Sequence, residues 1–175
     1  MPPMAQVELA IDTFMELALR RQISLIVGGN HPYRTVKATG ISPEMLVAMI
    51  LSATAAGHKP KALIPPLVQR LHELALLGEG ARAGGRQYAY YTKVREDLIQ
   101  EIKGLTPGPK DGRQIPFFPG VGHANVQGVP IAGYHGKHNK NRDNWSTIER
   151  WSHGYHLYFT GHNHRLGWEP GVQAI

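Results

Sequence analysis

With 175 residues, 42% of them hydrophobic, the chain is long enough for one domain with a core and too short for two of ordinary size. Lysine and arginine outnumber the acids by 19 to 13, a net charge of +6 that favours an anionic partner such as a phosphate group or a nucleic acid. The absence of cysteine excludes a disulfide framework, a thiolate metal site and a cysteine nucleophile, so any metal must bind through His, Asn, Asp or Glu.

The first residues lack the basic and apolar regions of a signal peptide, and no stretch approaches the roughly 20 apolar residues of a membrane helix, so a cytoplasmic protein without a membrane partner is expected. From Ala5 to Arg21 the residues Val7, Ala10, Ile11, Phe14, Leu17 and Ala18 recur at spacings of three and four, which predicts a helix with one buried face. Ile23, Leu25, Ile26 and Val27 follow as a short apolar run closed by Gly28-Gly29. This reads as a buried strand that delivers Asn30 and His31 at its carboxyl end, where ligands gather in open α/β sheets.

Ser42-Pro43-Glu44 has the form of a helix start, with a capping serine, proline at the first helical position and an acid in the first turn, and Gly57 reads as the stop. Leu67, Leu71, Leu74 and Leu77 predict a second helix after the Pro65-Pro66 break. Gly78 to Gly85 reads as a turn, and a further helix is expected over Thr92 to Lys103. These elements form a helical block at about 42–103 without clustered chemistry. Thr106 to Gly120, with four prolines and three glycines, reads as irregular loop. Beyond it Val129 to Tyr134 is a strand leading into His135-Gly136, Trp145 to Trp151 a short helix, and His156 to Thr160 a strand leading into Gly161-His162-Asn163-His164.

Seven of the ten histidines fall between His123 and His164, a crowding that points to a site because imidazole is the commonest side-chain metal ligand. His123, His138, His153 and His156 are read as surface residues. Three groups stand apart because each follows an apolar run and has glycine beside it, which lets a ligand approach the backbone closely. Of these, His162 and His164 form the strongest signal, since two imidazoles one residue apart at a strand end can project toward one or two metal ions.

In order, Gly29-Asn30-His31, His135-Gly136 and Gly161-His162-Asn163-His164 resemble the last three metal-site motifs of calcineurin-like metallophosphoesterases. The gap of 27 residues between His135 and His162 and the helix-strand unit before Gly29 are similar to phage-type and bacterial members. The resemblance covers roughly residues 5–34 and 129–175 and implies a partial metallophosphoesterase-type β-sandwich flanked by helices, spanning 1–175 as one α/β domain. It implies divalent ions (Mn, Fe or Zn, two where the site is completed) and a phosphoester substrate. Asn30, His135 and His162 would hold one ion, His164 the other, and His31 would contact the phosphate or protonate the leaving group, while Lys137 and Arg142 would add positive charge near the substrate.

The family's opening Asp-x-His and Gly-Asp-x-x-Asp motifs are absent, and Pro32 stands where an acid is usual. The resemblance therefore implies a fragment lacking its first strands, a degenerate member, or a partner to a second chain that supplies the remaining ligands. Two other readings compete. One is a nonenzymatic α/β domain with a structural role or one in binding nucleic acid. The other is a single-zinc amidase-type hydrolase, which Gly154-Tyr155-His156 resembles in part.

Overall fold

The computed structural model describes residues 3–29, 33–81, 83–106, 114–135 and 154–161. Over these residues the chain is a mixed α/β structure with five α-helices, a short 3-10 turn and two small sheets.

Helix α1 (Pro3–Leu19) forms on the predicted apolar stripe, with Val7, Ile11 and Ala18 buried in the core and Ala10 partly buried against it, but Phe14 and Leu17 stay 44% and 40% exposed along an open cleft. Its end is a two-bond cap in which the Gln22 N–H donates to the Leu17 carbonyl and the Arg21 N–H to that of Ala18, with Arg21 in the left-handed region at φ 57°. That cap stops the helix two residues before the expected boundary and turns the chain into strand β1 (Ile26–Val27), a shorter strand than the apolar run predicts.

The short helix α2 (Tyr33–Thr39) has no counterpart in the sequence reading. Helix α3 (Pro43–Ala55) starts as predicted: the Ser42 hydroxyl accepts from the Met45 N–H at 3.0 Å, and Glu44 lies in the first turn. Gly57, at φ 90°, closes it with the same two-bond cap, the N–H groups of His58 and Gly57 donating to Ala53 and Thr54. Helix α4 (Ile64–Glu79) begins at the diproline rather than after it, since proline in a first turn forfeits no helical hydrogen bond. Its buried stripe is Ile64, Leu67, Val68, Leu71 and Ala75, whereas Leu77, expected inside, is 62% exposed. Helix α5 (Arg86–Gly104) starts six residues before the predicted Thr92 and buries only Leu98 and Ile102 fully. With α1, these helices enclose the main core around Ile11, Ile50, Leu51, Ile64, Leu71 and Ile102.

The stretch from Thr106 to Gly120 is not all loop, because Phe117–Phe118 forms strand β2, parallel to β1 in the register Ile26 to Phe117 and Val27 to Phe118. The approach to β2 is pinned by Ser52, whose buried hydroxyl donates to the Ala48 carbonyl and accepts from the Ile115 N–H at 2.8 Å. Strand β3 (Val121–Val126), also not anticipated, makes a hairpin with β4 (Val129–Tyr134) across Gln127-Gly128. Both turn residues have positive φ, 52° and 86°, the backbone that matches the twist of a two-residue hairpin, and the Asn125 side chain accepts from the Gly128 N–H. Strand β5 (Leu157–Thr160) adds to β4 in parallel.

The two sheets meet where the second has no side chains. A Cβ on Gly122 would lie 2.9 Å from Val27 Cγ2, and one on Gly133 would lie 3.1 Å from the same atom, so β1 packs directly on the β3-β4 backbone. The predicted helix over Trp145 to Trp151 lies outside the described residues. Among those described, no helix is long and apolar enough to cross a membrane.

Candidate functional site

Parallel pairing of β4 with β5 aligns their carboxyl ends, with Tyr134 opposite Thr160 and the Gly161 N–H donating to the Tyr134 carbonyl. His135 and Gly161 therefore leave the sheet side by side. Packing of β1 on β4 brings Gly29 to the same place: a Cβ on Gly29 would sit 3.3 Å from both Cε1 and Nε2 of the His135 ring. At Gly161 the Cβ would lie 3.4 Å from the His135 carbonyl oxygen and 3.5 Å from Nδ1. The imidazole of His135 thus lies against two glycines, one directly before Asn30 and the other directly before His162. Asn30, His31, Lys137, Arg142, His162 and His164 lie outside the described residues; His135 is the predicted site residue that the structure describes, half-buried at the end of β4.

Each glycine at the end of β1 answers to a different neighbour. A Cβ on Gly28 would meet Phe117 Cζ at 2.9 Å, while Gly29 leaves room for His135. The backbone there is held from two sides, with the Gly28 N–H donating to the Phe118 carbonyl at 2.7 Å and the Gly29 N–H to Glu44 Oε1 at 3.2 Å. Glu44 is a member of the site that the sequence reading treats only as a helix-start acid. Its second oxygen, Oε2, is buried and has no hydrogen-bond partner among the described residues. The signal was present in its position one residue after Pro43, but its partner lies 15 residues back along the chain.

These groups open on a cleft of about 730 Å³ between α1, β1 and the β4-β5 edge. Its wall is mostly apolar, with Phe14, Ile23, Val27 and Phe159 along it and Glu44 and His135 supplying polar groups. A largely apolar cavity with a few convergent polar groups is the usual form of a small-ligand site. Among the described residues no three His, Asp or Glu side chains stand close enough to hold a metal ion. A metal site here needs donors from the segments carrying Asn30, His162 and His164.

The other described histidines sit elsewhere. His123, exposed on β3, stacks on Tyr155 with ring centroids 5.0 Å apart and meets Phe118 edge-on. His156 is exposed, its N–H on the Pro130 carbonyl at the opposite end of β4 from His135. Five steps along the strand separate the two, about 16 Å at the usual rise, which weighs against a single ion shared by His156 and His135.

The glycine contacts yield a paired test. Neither Gly29 nor Gly161 has a positive φ, so alanine is compatible with the backbone at both. Gly29→Ala sets a methyl 3.3 Å from the His135 ring, close enough to displace it slightly; were His135 a metal ligand, divalent-metal binding would weaken by about tenfold, the usual scale for disturbing the support of a metal ligand. Gly161→Ala makes ordinary contacts and is expected to change that affinity less than about threefold on the same scale. Titration with Mn²⁺ against both variants reads the difference.

Comparison with protein-family models, curated proteins and solved structures finds no match to this chain.

Proposed function

We propose that this chain is a metal-dependent phosphoester hydrolase of the metallophosphoesterase kind, with its site at the carboxyl ends of β1, β4 and β5 and its two small sheets forming part of that family's sandwich. The observation that carries the reading is the position of the His135 ring against Gly29 and Gly161, because these glycines introduce the other two motifs, Asn30-His31 and His162-Asn163-His164. Three segments far apart in sequence, singled out for their resemblance to metal-site motifs, have flanks that meet at one point.

The residues present suit divalent ions. An imidazole and a carboxylate oxygen lacking a hydrogen-bond partner among the described residues are a nitrogen and an oxygen donor type compatible with Mn, Fe or Zn. Bound ions would supply Lewis-acid chemistry, activating water and neutralising charge on the phosphoryl oxygens. Asn30, His135, His162 and His164 are the residues that would hold them. His31 would contact the phosphate or give a proton to the leaving oxygen, and Lys137 and Arg142 would draw the anionic substrate in.

The apolar wall formed by Phe14, Ile23 and Phe159 gives such a site room for a substrate with an apolar leaving group. Mn²⁺-dependent release of nitrophenol from bis(p-nitrophenyl) phosphate, lost on adding chelator and regained with excess metal, is the expected result. Absence of turnover with every one of Mn, Fe and Zn, together with nucleic-acid affinity that survives loss of His162 and His164, would favour the nonenzymatic binding reading instead.

A further inference from the structure

Glu44 occupies the second position of α3, where a carboxylate is ordinarily comfortable in water near the positive end of the helix. It does not take that option. One oxygen crosses to the Gly29 N–H, and the other is buried without a hydrogen-bond partner among the described residues. Burying a carboxylate oxygen unpaired is unfavourable unless a cation or a donor compensates it. Ser42 and Pro43 fix the helix start, so the side chain is directed by a well-defined element rather than by a loop. Glu44 and His135 also line the same cleft.

Metal-ligating carboxylates are commonly oriented by a hydrogen bond to one oxygen while the other is left to the metal. We infer that Glu44 is an anionic ligand of a divalent cation bound beside His135, contributing Oε2 while Oε1 accepts from the Gly29 N–H. The inference rests on the metal-site reading above and deepens it, because the motifs that would bring aspartates in the resembled family are absent from this sequence. Glu44 reaches the site from a helix instead. One side chain thus joins the proposed metal to the backbone at Gly29.

The test is calorimetric titration of the whole chain with Mn²⁺ alone, using wild type, Glu44→Gln, Glu44→Asp and His135→Ala, with thermal melting of each metal-free protein. Glu44→Gln keeps the shape and retains an oxygen to accept from Gly29, removing the charge. If Glu44 is a ligand, Glu44→Gln weakens Mn²⁺ binding at least tenfold and leaves metal-free melting close to wild type, while Glu44→Asp keeps part of the affinity by retaining the charge. Wild-type affinity in Glu44→Gln, with binding lost in His135→Ala, would overturn the role of Glu44 and leave the metal site standing. Absence of Mn²⁺ binding by the wild type would overturn both.

Discussion

On the proposed metal-site function, replacing His135 with alanine is expected to lower metal affinity and phosphodiester turnover by more than about 100-fold, since disturbing only the outer support of a metal ligand already costs 10- to 100-fold. The expectation comes from the ring's position. It is held at the end of β4 by the parallel pairing with β5 and lies against the backbone leading into both other motifs. The same change should be mild for folding, because His135 is half-buried and lies outside both hydrophobic clusters. Circular dichroism and melting close to wild type, alongside lost Mn²⁺ binding, would separate a site residue from a structural one. Loss of fold and of metal together would leave His135 as a packing residue.

Ile50→Ala is expected to cost about 2–5 kcal/mol of stability, the usual range for emptying a fully buried aliphatic side chain. Ile50 is 0% exposed in the middle of α3, the helix that carries Glu44 at its start and Ser52 near its end. A domain of this size has about 5–15 kcal/mol in all, so the variant gives up a large share of its margin. Leu77→Ala is the control. Leu77 belongs to the apolar spacing of α4 yet is 62% exposed, so its loss should be worth less than about 0.5 kcal/mol. Urea denaturation of the two variants measures both, and comparable losses would contradict the packing described.

Why sequence spacing promotes Leu77 but not its exposure lies in the width of the stripe. α4 offers apolar residues on more of its circumference than α2 and α5 cover, and spacing alone does not say which edge is left in water. The same holds for Phe14 and Leu17 on α1, read as core and found along the cleft. Signals confined to a few neighbouring residues were legible: the Ser42 cap, the Gly57 stop, and the strand of β4 ending at His135. Features set by distant partners were not. The Gly-His-Ala-Asn stretch of β3 lacks β-branched residues and becomes a strand through pairing with β4 and its two-residue turn. Phe117 and Phe118, within a proline-rich stretch, become one by pairing with β1. The early start of α5 escaped because Tyr88 and Tyr90 face solvent, leaving its first turns without a buried stripe to read.

For the site, the sequence carried the motifs and the resemblance, including His135 at a strand end. It could not carry the meeting of Gly29, His135 and Gly161, which depends on two sheets packing through Gly122 and Gly133. Nor could it reveal Glu44 as a neighbour of that point, since its part depends on a hydrogen bond across 15 residues.

The most direct test of the account is elemental analysis of protein purified without chelator, comparing the wild type with a His162→Ala, His164→Ala double variant. One or two equivalents of Mn, Fe or Zn in the wild type, falling to background in the variant, is the predicted result. A wild type that holds no metal, and takes up none when Mn²⁺, Fe²⁺ or Zn²⁺ is supplied, would contradict it.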